Sequence, residues 1–403
     1  MAYKVREALK LYKSWRSNEG FTPYSVELLV SSRCNLRCIM CNVWMLAEKN
    51  PSITNEELSV SEYESLLDEL SSLGTKSLCI SGGEPLLKKG VFSIIQKAKE
   101  KGLKVEIITN GTFMSNAIAK KLVESNTDLI TFSIDAPRAN LHDQIRGVPG
   151  SWENATQAMA MLNNLRKQAN SQLRLAIDFL VTRMNYYLIP EMIDLKCKLG
   201  FDEIHFLPVI GKTPGAKKLF LTINNLKWLK EKLEPIRAKM ESQNLPTSKL
   251  TPLFSICNDM ENAIEGRYFV CDITPSKEIK REILCFMPWT MATIDPFGNV
   301  YPCCFACTFQ NLSEDLTHAF WGNENYCMGN LKQKSFKEIW HGERFRMFRE
   351  KCKCPPNFPM CHYCGYDFSG SVLWTGLFKK RIIPLKHIHR YANSLFKRRK
   401  SSS

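Results

Sequence analysis

No apolar run in this 403-residue chain reaches the roughly 18 residues that cross a bilayer as a helix. The first 21 residues are basic but lack the apolar segment of a secretory signal. Membrane spans and export are therefore not expected, and the chain reads as cytoplasmic. There is no internal repeat, which sets aside solenoids and propellers. Disulfide frameworks belong to small secreted domains, so the 16 cysteines read as thiols, and their clustering points to metal. Carboxylates are missing from one stretch altogether. Residues 379–400 hold nine Lys or Arg and no Asp or Glu, which is more than half of the formal charge of +15. Such a bias concerns partners, not fold.

The chain is long enough for two domains or one large one. A hydrophobic share of 44% and a charged share of 24% place it among globular proteins. Residues 1–24 form a basic lead with a weak helical stripe at Val5, Leu9, Tyr12 and Trp15. From 25 to 210 strand and helix alternate. Strand patterns cover 26–30, 77–80, 105–109, 129–134, 175–181 and 204–209. Helical patterns cover 59–72, 92–101, 117–125, 153–167 and 189–199. Ser59 with Glu62 is a capping-box signature. Gly74, Gly102 and Gly200 sit where helix C-caps belong. Strands alternating with helices predict an α/β fold with a parallel sheet and right-handed crossovers. Six strands are too few for a closed barrel, so an open, partial (β/α)6 barrel is expected. Its active site should lie at the C-terminal strand ends. Residues 211–284 read as a linker or insertion with helix at 224–243 and isolated Cys257 and Cys271. Residues 285–368 form a small cysteine-rich domain, and 369–403 a basic tail.

Chemistry concentrates at a few motifs. Cys34, Cys38 and Cys41 follow the first strand at a C-x3-C-x2-C spacing. Thiolates are the usual ligands of iron–sulfur clusters, and three of them leave one iron of a cubane open to a small molecule. A zinc knot is the competing reading, although zinc usually recruits CxxC pairs. Gly82-Gly83-Glu84 follows the second strand. Adjacent glycines admit a close backbone approach, and a carboxylate can accept from an ammonium group; a plain turn is the alternative. Asn110-Gly111 ends the third strand and is first of all a turn signal. Ser133 and Asp135 fall on one face at the end of the fourth strand, and Arg146 can grip a carboxylate by two parallel bonds. A helix-capping role competes for Asp135, and His142 is expected to be a surface or capping residue.

In the second cysteine unit Asp295-Pro296-Phe297-Gly298-Asn299 reads as a hairpin turn. Such a hairpin would bring Cys285 near Cys303, and the unit closes with Cys361 and Cys364. A zinc ribbon would use the same thiolates. In the tail Leu385, Ile388, Tyr391 and Leu395 recur at helical spacing among basic residues. A basic amphipathic helix of this kind would make a peripheral contact with an anionic membrane, or with an acidic protein or nucleic acid. A solvated, frayed end is the plainer alternative.

Cys34, Cys38 and Cys41, followed by residues 81–85, resemble the radical S-adenosylmethionine (radical SAM) superfamily. The resemblance implies a 4Fe–4S cluster on the three cysteines, with S-adenosylmethionine chelating the fourth iron. An electron donor such as flavodoxin or ferredoxin would drive reductive cleavage to a 5′-deoxyadenosyl radical. It implies that Gly82, Gly83 and Glu84 meet the cofactor's amino group and that Asn110 lies beside the cofactor. It places Ser133 and Arg146, in the segment that also carries Asp135, on its methionine carboxylate or ribose. Met40 stands where many members carry an aromatic and is expected to pack against the cofactor. Residues 285–368 resemble the SPASM/twitch extension, which implies an auxiliary 4Fe–4S cluster on Cys285, Cys303, Cys361 and Cys364. The spacing departs from the two-cluster form, so one auxiliary cluster is expected. Cys304, Cys307, Cys327, Cys352 and Cys354 remain spare and leave a second open. With so short a lead before Cys34, neither a cobalamin-binding domain nor a fused peptide-leader-binding domain is expected. The expected activity is hydrogen-atom abstraction leading to oxidation, cross-linking or epimerisation of a peptide or small metabolite. Two other readings stay open: modification of a lipid-linked sugar or nucleotide at a membrane surface, and a non-catalytic iron–sulfur scaffold.

Overall fold

The computed structural model describes residues 13–15, 17–41, 43–209, 214–246, 250, 287–308 and 326–352. Six strands pair in parallel in chain order: β1 (Ser25–Leu29), β2 (Ser77–Ser81), β3 (Lys104–Thr109), β4 (Leu129–Ser133), β5 (Arg174–Val181) and β6 (Glu203–Pro208). Helices connect them. After β1 come α1 (Val43–Lys49) and α2 (Val60–Ser72), after β2 α3 (Val91–Glu100), and after β3 α4 (Asn116–Glu124). After β4 come α5 (Ala139–Arg146) and α6 (Ser151–Gln168), and after β5 α7 (Ile189–Lys198). Beyond β6 lie α8 (Pro214–Lys217) and α9 (Ile223–Ser242). This is the partial (β/α)6 barrel that the alternation predicts. Among the described residues no helix is long and apolar enough to cross a membrane.

Local chemistry explains the boundaries. Ser59 Oγ accepts from Glu62 N while Glu62 Oε2 accepts from Ser59 N, so the expected capping box starts α2. Alternation then sorts the strands into two faces. Val26, Leu28, Leu78, Ile80, Val105, Ile107, Ile130, Phe132, Ile177, Phe179, Ile204 and Phe206 are buried in the main core, against helix residues such as Leu67, Ile94, Leu122, Leu162 and Met192. The opposite face is polar. There Thr131 Oγ1 donates to Glu106 Oε1, Thr293 Oγ1 donates to Glu27 Oε2, and His205 Nδ1 lies 2.7 Å from Asp178 Oδ1.

The C-terminal unit is not separate from this sheet. It comprises α10 (Met287–Thr290), β7 (Met291–Ile294), β8 (Asn299–Tyr301), α11 (Cys304–Thr308), β9 (Gly329–Asn330), α12 (Phe336–His341) and α13 (Glu343–Cys352). The expected hairpin forms between β7 and β8, but β7 also pairs in parallel with β1, Ser25 opposite Met291 and Leu28 opposite Ile294. One nine-stranded sheet therefore runs β6-β5-β4-β3-β2-β1-β7-β8-β9. Helices α1 and α5 are further additions to the sequence reading. Arg138, not Asp135, is the N-cap of α5. Cys285, Cys361, Cys364 and the tail 369–403 lie outside the described residues.

Candidate functional site

The loop after β1 is shaped by contacts from the end of β2, the last turn of α5 and the start of α8. Gly83 N donates to Ser31 O and Glu84 N to Arg33 O, both at 2.7 Å. A Cβ on Gly83 would fall 2.1 Å from Arg33 O, so only glycine fits. The adjacent glycines thus first admit the cysteine loop itself. On its other side, Arg37 N donates to Arg146 O and Ile39 N to Ile145 O, both at 2.9 Å. These are carbonyls of the last turn of α5, which have no partner within their own helix. Gly147 ends that helix at φ +74°, and a Cβ there would meet Arg37 O at 2.2 Å. Gly215 of α8 approaches from a third side, its Cβ position 1.8 Å from Ile39 O. Pro214-Gly215 is an ordinary turn dipeptide in the sequence, and its contact with the cysteine loop was missed there. Ile39 and Met40 pack on a small apolar cluster of Val209, Ala216, Leu219 and Phe220.

The loop presents three thiols. Cys34 Sγ accepts from Leu36 N at 3.5 Å and lies 3.9 Å from Asn110 Nδ2. Cys41 Sγ accepts from Val43 N at 3.4 Å, and Cys38 Sγ lies 3.8 Å from Arg146 Nη1. Burial pushes Cys34 up to about 11 and Cys41 up to about 12, and raises Cys38. Bare thiolates are unfavourable here; a bound metal would supply the missing positive charge. Among the ten described cysteines none is in a disulfide. Three thiols on one loop, Cys38 buried and Cys34 and Cys41 half-buried, two of them receiving backbone N–H groups, suit an iron–sulfur cluster. Among the described residues no three His, Cys, Asp or Glu side chains form a single-ion site.

Glu84 and Asn110 meet at this loop. Glu84 is fully buried, and both carboxylate oxygens accept: Oε1 from Leu86 N and Thr109 Oγ1, Oε2 from Asn110 N. Burial pushes it up to about 7. Its carboxylate ties the end of β2 to the end of β3. Asn110 Nδ2 donates to Asn35 Oδ1 at 2.9 Å, and its Oδ1 accepts from Thr112 N, the turn chemistry that the sequence suggests.

Asp135 and Arg146 face each other, Oδ2 to Nε at 2.7 Å, with Asp135 completely buried. Asp135 Oδ1 also accepts from Leu180 N. Burial raises its carboxyl while the guanidinium opposes the rise. His142 corrects the surface expectation. It is buried, its Nδ1 accepts from Asp135 N at 3.2 Å, and burial beside Arg146 pushes it down to about 3, so it stays neutral. Its burial follows from its place on the inner side of α5, a helix that was not foreseen. Ser133 pairs with Asp178 at the rim of β4 and makes no hydrogen bond to the cysteine loop among the described residues.

In the C-terminal unit Cys303 is the described member of the expected auxiliary set; its Sγ accepts from Ala306 N at 3.3 Å. Cys304 and Cys307 follow on α11, Cys327 precedes β9, and Cys352 ends α13. Arg349 on α13 is fully buried. Its Nε donates to Pro288 O and its Nη1 to Trp340 O, and its guanidinium stacks 4.5 Å from the rings of Trp340 and Phe345.

A partial barrel with a three-thiol loop at its rim and a cysteine-rich extension defines a class of iron–sulfur proteins. The family follows from comparison. Residues 28–173 match the Radical SAM superfamily and 285–365 match the SPASM iron–sulfur cluster-binding domain. The chain therefore carries a radical SAM domain followed by a SPASM domain. Those two domains imply 4Fe–4S clusters and S-adenosylmethionine binding. Fe-coproporphyrin III synthase of Methanosarcina barkeri is 25% identical over 316 residues, covering 77% of this chain and 72% of its own. PqqA peptide cyclase of Granulibacter bethesdensis is 23% identical over 344 residues, covering 85% and 80%. The structure of Streptococcus suis SuiB bound to precursor peptide SuiA shares the fold, with a TM-score of 0.59 at 17% identity, over 89% of this chain and 74% of that one.

Proposed function

We propose that Cys34, Cys38 and Cys41 hold a 4Fe–4S cluster whose open iron takes S-adenosylmethionine, and that the enzyme abstracts a hydrogen atom from a peptide or small metabolite. An auxiliary cluster on Cys285, Cys303, Cys361 and Cys364 then supports oxidation, cross-linking or epimerisation. When bound, the cluster and cofactor supply one-electron cleavage of the sulfonium bond and the 5′-deoxyadenosyl radical. The observation that carries this reading is the convergence of the cysteine loop, residues 82–84 and residues 109–110 at three adjacent strand ends. Glu84 holds this rim together, since both of its oxygens already accept from protein donors. The cofactor's amino group would then be met by the backbone carbonyls of Gly82 and Gly83, with the one acceptor site left on Glu84 Oε2. Asn110 bridges the rim to the cysteine loop. The apolar cluster beneath Ile39 and Met40 keeps water from the loop's far side. Residues 25–210 act as the barrel, 211–284 as a linker and 285–368 as the auxiliary unit. The names of the relatives make an iron coproporphyrin and a peptide reasonable substrates to try.

The test is anaerobic reconstitution of the full chain, with iron and sulfide counted, followed by dithionite and S-adenosylmethionine. About eight irons in the parent and about four when all three loop cysteines become Ala, with 5′-deoxyadenosine formed only by the parent, is the expected result. About twelve would add a second auxiliary cluster. Zinc in place of iron, with no cofactor binding, sinks the proposal.

A further inference from the structure

We propose that Asn185 is a positioning residue for the cofactor site: its amide ties the loop leaving β5 to the chain just beyond β4, and so fixes Leu180 and Met184 beside the cysteine loop. The inference rests on the proposed cluster at Cys34, Cys38 and Cys41 with its open iron. Its ground is the way the amide is spent. Asn185 is fully buried. Its Nδ2 donates to Asp135 O and to Leu180 O, both at 2.8 Å. Its Oδ1 accepts from Thr182 N at 2.7 Å and from Thr182 Oγ1 at 2.9 Å. Both N–H groups and both lone pairs are thus in use. An asparagine just ahead of a helix ordinarily caps it. Asn185 stands in that place before the short 3-10 turn Tyr186–Leu188, yet makes no side-chain cap bond. All four bonds run back to the strand ends instead.

What these bonds hold reaches the cysteine loop. Leu180 N donates to Asp135 Oδ1 at 3.2 Å, so the two strand ends are tied a second time there. Thr182 Oγ1, turned by its bond to Asn185, accepts from Met184 N. Arg183 N donates to Leu219 O. Leu180 and Met184 then pack on Val209, Ala216, Leu219 and Phe220, the same cluster that seats Ile39 and Met40. One side of the cysteine loop therefore leans on a wall whose β5 portion has its backbone set by Asn185. A buried polar network fixes a loop when every member is satisfied and loosens it when one is missing. Truncating the amide takes away the donor that Asp135 O and Leu180 O share. The wall beside Met40 then loses its fixed height, although no group that touches the cofactor has been changed.

The experiment compares the full chain with Asn185→Ala, Thr182→Val and Asn163→Ala, all reconstituted anaerobically. Asn163 is a buried asparagine at the opposite end of the barrel, where its Nδ2 donates to Leu199 O and its Oδ1 accepts from Arg166 Nε. Besides the urea midpoint, two quantities are read: Kd for S-adenosylmethionine, and the change that its binding makes in the EPR signal of the reduced cluster. Asn185→Ala should weaken binding roughly tenfold and diminish the EPR change, with iron content kept. Thr182→Val removes one bond of the network and should fall between it and the parent. Asn163→Ala should lower the urea midpoint and leave both cofactor readings as in the parent. Cofactor readings in Asn185→Ala equal to those of the parent, or the same loss in Asn163→Ala, overturn the inference. Should Asn185→Ala fail to fold, Thr182→Val and Asn185→Asp decide it by the same comparison, since Asp keeps the acceptor for Thr182 and loses the donor. A parent that assembles no cluster on the three cysteines, or binds no S-adenosylmethionine, removes the underlying reading instead, and shows it before any variant is compared.

Discussion

Two arginines, one mostly buried at the barrel rim and one fully buried in the C-terminal unit, solve the same problem differently. Arg146 has a carboxylate at 2.7 Å and a thiol at 3.8 Å. Arg349 has no carboxylate partner among the described residues. It is held by the carbonyls of Pro288 and Trp340 and by two aromatic faces. Burial accordingly pushes Arg349 down to about 9, whereas Asp135 and Cys38 hold Arg146 up. Burying a charge is costly unless it is paired. At the rim the pairing is ionic and directed at a candidate metal ligand. In the C-terminal unit the guanidinium serves as a clamp that joins α10, α12 and α13. The first arrangement concerns the properties of the site, the second the stability of its support.

Gly147→Ala should break the comparison most completely. A side chain there is strained at φ +74° and collides with Arg37 O. We expect the cluster at Cys34, Cys38 and Cys41 to be lost and the auxiliary iron kept, as counted after reconstitution. A chain that retains both clusters would mean the loop can be held without α5. Arg349→Met should act in the opposite sense. It leaves two buried carbonyls without donors and should cost about 3 kcal/mol in urea unfolding, with the cluster at Cys34 spectroscopically normal. A shifted cluster signal in that variant would erase the division of labour.

Asp295 offers a pH test confined to the C-terminal unit. Its carboxyl accepts from Phe297 N, Asn299 N and Asn299 Nδ2, and burial pushes it up to about 7. The folded chain keeps this proton where the unfolded chain has released it. The resulting stabilisation is therefore full below about pH 4, declines as pH rises to about 7 and is flat above. Replacing Asp295 by Asn should flatten the pH slope of the urea-unfolding free energy between those limits by roughly 1 kcal/mol per pH unit; an unaltered slope would contradict the assignment. The smallest effects belong to the matched capping boxes, Ser59 with Glu62 in the barrel and Ser335 with Glu338 in the C-terminal unit. Ser59→Ala and Ser335→Ala should each cost about 1 kcal/mol in urea unfolding and add together in the double variant. Iron content should not change in either.

Much of the fold was legible because its signals are local. Period-2 runs located β1 to β6 to within a residue or two, and Ser59 announced the start of α2. Asp295 to Asn299 announced the β7–β8 turn. Helix α5 was overlooked because it is short, begins at Arg138 without a side-chain cap and carries several polar residues. That omission turned His142 outward in the sequence reading. The pairing of β7 with β1 joins residues some 266 positions apart, as the bond from Thr293 to Glu27 shows, and it leaves no pattern in either strand.

By itself the sequence determined the order of strands and helices, the thiol spacing of Cys34, Cys38 and Cys41, and through them the family. Those features depend on neighbours in the chain, where periodicity and spacing express backbone geometry directly. Only the tertiary structure decided that Glu84 spends both oxygens on protein donors, that Gly147 and Gly215 press on the cysteine loop, and that Arg146 stands beside Cys38 from 108 positions away. Charge pairing and close packing depend on distance through space, and a short spacing motif says nothing of which distant side chain will be brought against it.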